Sequence, residues 1–470
     1  MATQQFTSEQ EQQLSTLNSL SKRQLKYLLV RVLARLDRQL SAQLSAIISE
    51  PCFRTLEASW RNLHSLLVLN VNARRVKVKV LDIDWLNLSK DLNQSAALQR
   101  SLIYRKTAPD ELNTLGGEPF GILVVDHEVN IDQQGEETFD QLYTLELLGS
   151  LGEMLLSPVV LAAADDFFGS ANADWLADIN RIERIINGPD FNSWQQLRNK
   201  PLSRFLGLVM PSLQLRPGYH QLNIGFMFSE QQGDGLWGNA AFGFVTTAIR
   251  EFERIGWFGF MKSRWQGKYQ GALLNLPPDA GSGDESSQNN SHLQAPQPRV
   301  RLFGNIAQFY AQQGFIPLTR NPLSERYFYV DNRSLWHTEN DNEQVIALLQ
   351  TSLLCCRIGH CLKAKMRELI GSYHSVQECQ EELQQWIEQY CSQVVSTDEA
   401  ILTRYPLRMA SITVTESEYI SGRYITDVCL QPQYQFDSFN GAVVLNTRDG
   451  QEVFSPEDAP GEAMPEESIA

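Results

Sequence analysis

Leu56-Glu57-Ala58-Ser59-Trp60-Arg61-Asn62-Leu63 lies between two segments of different periodicity. Before it, Leu25, Leu28, Leu29, Val32, Leu33, Leu36, Leu40, Leu44, Ile47 and Ile48 recur at steps of three and four. That is the apolar stripe of one amphipathic helix, expected over residues 22–49, with Arg31, Arg35, Arg38 and Gln39 on its other side. Pro51 punctuates the helix end. Such a stripe packs either on its own domain or on a partner chain, and periodicity does not choose between the two. Beyond the quoted segment, Val76-Lys77-Val78-Lys79-Val80 alternates apolar and basic residues, the pattern of a half-exposed strand. Upstream, residues 3–21 are rich in Gln and Ser and read as a flexible arm, with a weak helical run over 9–20.

Further out, residues 82–99 carry Trp85, Leu86, Leu88 and Leu92 at helical spacing. The turn-rich Gly116-Gly117-Glu118-Pro119-Phe120-Gly121 runs into Ile122-Leu123-Val124-Val125, an apolar burst that predicts a buried strand. A helix is expected over 139–156, then a strand over 158–164 ending at Asp165-Asp166-Phe167-Phe168-Gly169. Another helix opens near Leu236-Trp237-Gly238-Asn239-Ala240 and runs to about Ile255. Residues 277–298 are polar, rich in Gly, Ser, Asn and Pro, and lack periodicity, so they read as an exposed mobile loop. One long helix is expected over 342–370, then strands over 410–415, 424–434 and 441–447. No internal repeat is present. The alternation predicts an α/β (α+β) chain, with mixed sheets flanked by helices and a β-rich end. Its expected divisions are 1–50 as arm and amphipathic helix, 51–410 as core, 411–447 as C-terminal β part, and 448–470 as an acidic disordered tail.

At 470 residues, 43% hydrophobic and 20% charged, the chain has the profile of a soluble globular protein with a sizeable core. A net charge of −15 argues against nucleic acid as a main partner, because phosphate binding needs a basic footprint. No charge-free apolar run approaches the ~20 residues that span a bilayer, and the N-terminus has no secretory pattern. Seven cysteines, an odd number, suit reduced thiols in a cytoplasm better than a disulfide framework.

Candidate chemistry is sparse. Gly233-Asp234-Gly235-Leu236-Trp237-Gly238 is formally a dinucleotide fingerprint after the strand-like run 224–228. A spacer separates strand from glycines, Trp237 is bulky where a pyrophosphate backbone contact belongs, and no acidic residue closes a second strand. A turn and helix start is the better reading. Cys356 and His360 are one helical turn apart beside Cys355 and Cys361, but zinc needs further ligands and free cysteine is commonly a core residue. Asp126-His127-Glu128 ends an apolar strand, where neighbouring side chains point to opposite faces. The Asp165-Asp166 pair reads as a loop or cap. No Walker A, H-E-x-x-H or G-x-S-x-G pattern occurs. No catalytic residue, cofactor or metal site is expected.

The motifs in order resemble a known family. Leu56 to Leu63 resembles the L-E-[AS]-x-W-R-x-L element of the large sheath subunit of bacterial type VI secretion systems, the VipB/TssC family. Gly116 to Asp126 resembles its G-G-E-P-[FY]-[GS]-x-L-[IV]-G-D, with Val125 in place of Gly. Trp194, Leu197-Arg198, Arg204 to Leu208, Met210-Pro211 with Leu213 to Pro217, Leu236 to Phe244, Gly314 to Leu318, Arg357 to Lys363 and Gln385 to Tyr390 each resemble a further family element. Ser212 replaces a common Arg, and 155–160 and 327–337 lack family features, which marks a divergent member. The resemblance implies a phage-tail-sheath-like fold and a non-enzymatic, cytoplasmic assembly protein. It implies a heterodimer with a small sheath subunit, and contacts to neighbouring sheath subunits, to inner-tube hexamers and to the baseplate. It also implies recycling by a AAA+ ATPase, with no membrane insertion. Three surfaces follow from it: a partner interface at Leu25, Leu28, Leu29, Val32, Leu36 and Leu40; an ATPase-recognition face at Leu14, Leu17 and Leu20; and strand exchange through Ile412, Val414, Val443, Val444 and Leu445 on an unclosed sheet edge. The alternatives are a non-contractile scaffold or baseplate-type paralogue and a nucleotide-binding enzyme built on 233–238.

Overall fold

A computed structural model describes residues 21–114, 116–131, 139–169, 173–219, 222–230, 235–258, 261, 274, 297–320, 327–338, 341–369, 375–392, 404–416, 424–433, 443–448 and 451–455. In chain order the helices used below are α1 (Lys22–Ile48), α2 (Pro51–Leu67), α3 (Trp85–Gln94), α4 (Gln141–Leu155), α5 (Ala241–Ile255), α6 (Leu349–Leu369) and α7 (Val376–Glu388). The strands are β1 (Leu123–Val129), β2 (Val159–Ala163), β3 (Leu206–Met210), β4 (Leu213–Arg216), β5 (Leu222–Asn223), β6 (Met227–Phe228), β7 (Leu236–Gly238), β8 (Phe315–Arg320), β9 (Tyr327–Tyr329), β10 (Leu407–Glu416), β11 (Tyr424–Pro432), β12 (Val443–Arg448) and β13 (Gln451–Ser455). The chain forms two units, Met1–Arg61 with Gln214–Gly238, and Asn62–Leu213 with Asn239–Ala470.

The first unit is built on α1. Ser21 starts the helix: its hydroxyl accepts from the Gln24 N–H, and the Gln24 side chain accepts from the Ser21 N–H. This reciprocal cap satisfies two of the donors that a helix start leaves bare. Only Ser41, Ser45 and Ile48 of α1 are buried, and the Ser41 hydroxyl donates to the Met227 carbonyl at 3.2 Å. β4 pairs with β7, and β5 pairs with β6.

The second unit holds a five-stranded sheet in the order β1-β2-β3-β8-β9, parallel except for the last strand. Every residue of β2 and β3 is buried. Alternate residues serve two cores. Val159, Leu161, Leu206 and Leu208 join Leu145, Leu148 and Trp194, while Val160, Ala162 and Val209 join Phe244 and Val245 of α5. Parallel strands covered on both faces read as unbroken apolar runs, as the strand expected over 158–164 does. A four-stranded antiparallel sheet, β10-β11-β12-β13, follows. Ile412 and Val414 pack with Leu383 and Ile387 of α7 and Leu354 and Ile358 of α6. Among the described residues no helix is long and apolar enough to cross a membrane.

Several expectations need correction. Residues 76–80 enter no sheet: Lys77 pairs with Glu118 and Lys79 with Glu111, so their alternation serves ion pairs instead of a ladder. The expected helix over 342–370 is broken. Ser334 N–H donates to the Ala347 carbonyl at 2.7 Å and Leu349 N–H to the Asn332 carbonyl at 2.8 Å, so backbone groups near 347–349 are paired with another segment. The helix resumes only at Leu349. The expected tail from 448 contains β13, paired with β12 from Val444↔Ser455 to Arg448↔Gln451. The N-terminal division runs to Arg61, not 50, and takes in 214–238. The loop expected over 277–298 lies outside the described residues except for its last two.

Candidate assembly surfaces

Leu25, Leu28, Leu29, Val32, Leu36 and Leu40 are all exposed on α1, as are Val30, Leu33 and Ile47. At about 100° of rotation per residue, the stripe is centred roughly 150° from the face of Ser41, Ser45 and Ile48. The helix therefore meets its own unit with small residues and turns its leucines the other way. Arg31, Arg35 and Arg38 follow at steps of four and three on the other side of the helix, roughly 90–150° from the centre of the stripe. A stripe of this size left 36–54% exposed is a poor end state, since each buried Leu or Val side chain is worth about 1.5–3 kcal/mol. On α2, Phe53, Leu56 and Trp60 add an exposed apolar row, with Trp60 64% exposed.

The quoted segment also carries the lock of the first unit. Glu57 and Arg61, four apart on α2, pair at 2.9 Å. Glu57 also accepts two bonds from Arg216 of β4, at 2.7 Å to Oε1 and 3.1 Å to Oε2. The third arm of Arg216 donates to Glu230 Oε2 at 2.9 Å, and the same oxygen accepts the Tyr219 N–H at 3.1 Å. The Tyr219 ring sits 4.3 Å from the guanidinium. Arg216 is 1% exposed at its side chain, and a buried cation needs this forked set of partners. Burial works to raise the Glu57 pKa; the bonds from Arg216 and then Arg61 outweigh it, and the net shift is downward. Gly235 explains the glycine-rich motif. It has φ +72°, and a Cβ there would stand 2.4 Å from the Arg216 carbonyl oxygen. Its own carbonyl accepts from Arg54 at 2.9 Å. The glycine lets β7 pass β4, which is a backbone requirement and not a phosphate cradle.

The other candidates are tied into the second unit. His360 is buried and donates to the Leu155 carbonyl at 2.9 Å; burial lowers its pKa to about 4, so the imidazole is neutral. Burial raises the Cys355 thiol to about 12. Among the described residues no group of three or more His, Cys, Asp or Glu side chains is arranged to hold a metal. His127 stacks on Trp85 of α3 at 3.8 Å between ring centres. Asp165 accepts from Arg299 at 2.9 Å and from the Ser212 N–H at 3.4 Å. Burial, and then the charge of Asp165, push the Glu128 carboxyl up to about 7.

The edge expected at 411–414 is not open. Along β10 the Gln384 side chain donates to the Ala410 carbonyl at 3.1 Å and accepts the Ile412 N–H at 2.9 Å. Gln380 accepts the Val414 N–H at 3.1 Å. Asn239 does the same at β1, donating to the carbonyls of Val125 and His127 at 3.3 and 3.2 Å. Val443, Val444 and Leu445 lie in β12, an inner strand between β11 and β13. The structure thus gathers the stripe on one helix but sets the strand residues inside a paired sheet, while Leu14, Leu17 and Leu20 lie outside the described residues. The sequence reading missed Gln380 and Gln384, whose four-residue spacing was the available signal, and the exposure of Trp60.

Two family models match consecutive parts of the chain: "EvpB/VC_A0108, tail sheath N-terminal domain" over residues 30–336, and "EvpB/VC_A0108, tail sheath gpW/gp25-like domain" over 338–448. A Pseudomonas aeruginosa PAO1 protein, "Type VI secretion system sheath protein TssC1", is 27% identical over 436 residues, 88% of this chain and 84% of its own. Among solved structures, the sheath complex of an extracellular contractile injection system in the contracted state covers 64% of this chain and 69% of its own, at 8% identity and TM-score 0.35. The sheath tail protein of Desulfitobacterium hafniense covers 67% of this chain and 62% of its own, at 7% identity and TM-score 0.29.

Proposed function

The chain belongs to the VipB tail sheath family as a divergent type VI sheath subunit, and from this we propose that it is the large subunit of a contractile sheath. In this reading it pairs with a small sheath subunit, and the heterodimers stack with neighbouring subunits around inner-tube hexamers on a baseplate. Contraction propels the tube. The work is mechanical and cytoplasmic, without catalysis or cofactor. The observation that carries the reading is the leucine stripe of α1, left in water on the side away from its own unit in a chain of sheath descent. Co-expression with the neighbouring small-subunit gene, followed by negative-stain electron microscopy, tests it. Hollow, cogwheel-like tubes are expected. A discrete particle that never polymerises overturns the reading.

Recycling by a AAA+ ATPase is assigned to the stretch 8–29, through Leu14, Leu17 and Leu20. Leu17→Pro should leave tube assembly intact and abolish ATPase-driven disassembly, followed by the loss of sheath turbidity. Normal disassembly removes this assignment.

A further inference from the structure

Residues 77–83 form an extended strap with an idle backbone. Val76 N–H still donates to the Asn72 carbonyl, and the Asp84 carbonyl accepts from Leu88 N–H. Between them, among the described residues, no backbone group has a hydrogen-bond partner. Val78 and Val80 are exposed, Val80 at 66%. A bare run of N–H and C=O groups bearing exposed valines is a strand without its sheet.

The strap already has a direction. Lys77 pairs with Glu118, the Lys79 ammonium lies 5.5 Å from the centre of the Phe120 ring, and Trp85 stacks on His127 at 3.8 Å. From 77 to 85 on one side and from 118 to 127 on the other, the two segments advance together. The strap therefore runs parallel to β1 and its approach. The connection between them contains α3, and a helical crossover is what joins neighbouring parallel strands.

The side of β1 away from β2 is open to it. Leu123 N–H donates to the Pro158 carbonyl and the Val129 carbonyl accepts from Ala164 N–H, so the odd-numbered groups turn toward β2. On that same side Asn239 takes the carbonyls of Val125 and His127. Ile122, Val124 and Asp126 turn the other way, with no backbone partner among the described residues. The open stretch ends at Asn130, whose N–H donates to Gln141 Oε1 at 3.0 Å.

Side chains fix the register. Ile83 and Trp85 pack in the same core as Leu123 and Val125, whereas Ile122 and Val124 pack in the other. Directly opposed residues share a face, so with Trp85 opposite His127, Ile83 falls opposite Val125 and Val80 opposite Ile122.

We propose that the strap closes on β1 as a sixth, parallel strand of the five-stranded sheet. The Leu81 and Ile83 N–H groups then donate to the Ile122 and Val124 carbonyls, and the Val124 and Asp126 N–H groups donate to the Leu81 and Ile83 carbonyls. Closure sets Val80 beside Ile122 and covers the edge, so β1 admits an added strand only while the strap is away.

Hydrogen exchange of the full chain, read at single amides by electron-transfer fragmentation, tests the closure. Leu81, Ile83, Val124 and Asp126 should exchange about tenfold slower than Val80 and Asp82, as for a closed form populated about ten to one. Uniformly fast exchange over 78–84 overturns the proposal. So does uniform protection there, which is cover without a ladder. Leu81→Pro removes a donor aimed at β1, and Asp82→Pro, at the next position, removes one aimed away; both sites are exposed. Protection of Val124 and Asp126 is expected to vanish in the first variant and persist in the second. Equal loss in both, or loss in neither, overturns the closure. Failure here leaves the sheath reading untouched, because no readout involves assembly.

Discussion

Arg216 has no water to turn to, so its charge is held by what the fold brings to it. Glu57 comes from 159 positions away and Glu230 from 14. Removing one partner of a buried cation costs about 3 kcal/mol. Glu57→Gln should therefore destabilise the first unit by about that amount, seen as faster hydrogen exchange in 214–219 and 235–238, with the second unit unchanged. Because the Glu57 pKa is lowered, the pair's contribution is present above the ordinary carboxylate value of 4.5 and fades as pH falls below it. Glu128 runs the other way. Its raised pKa favours the protonated fold, a contribution complete below pH 4.5 and lost as pH rises through about 7. Glu128→Gln should raise the melting temperature by about 2 °C at pH 8 and leave it unchanged at pH 5. Both pairs were half visible in the sequence: Glu57 and Arg61 show their four-residue step, but nothing in the order of residues announces Arg216 or the approach of Asp165 to Glu128.

Elements with strong periodicity were legible. The limits of α1 fall within one residue of expectation, and β2 lies inside the strand expected over 158–164. What failed was decided by neighbours. Residues 76–80 alternate like a strand but spend their lysines on Glu118 and Glu111, and the break before α6 is set by backbone pairing with 332–334. The edge of β10 shows the same dependence. Its free N–H and C=O groups look available until α7 lays Gln380 and Gln384 across them. Gln384→Leu leaves the Ile412 N–H and the Ala410 carbonyl unpaired, at about 1–3 kcal/mol for a buried group. The variant should melt earlier and, with a bare edge, aggregate on concentration, as light scattering would report.

Across the whole molecule, the family was readable from separate motifs in order, because each sits where the fold constrains it: Glu57 on the Arg216 lock, Arg198 on the carbonyls of Gln312 and Leu335, and Asn239 on the edge of β1. The division into units was not readable, since 214–238 joins a segment from which it is separated by 152 residues, 62–213. Strand exchange, if it uses Val443, Val444 and Leu445, must move them as part of the β12–β13 hairpin, because both sides of β12 are paired within the chain. Deleting the chain after Asn440 removes that hairpin and bares β11, and should therefore abolish contraction-competent sheaths while leaving β10 fenced by α7. Contraction-competent tubes from that truncation would end the assignment.

The two-faced placement of α1 bears on how a cell must make this protein. A copy synthesised without its partner keeps a row of leucines in solvent, and such a row is the feature chaperones and quality-control proteases bind. An unmatched subunit thus carries its own mark for removal. If a partner chain covers that row, as proposed, the amount that survives should follow the supply of that partner, and overproducing this chain alone should yield turnover in place of sheath.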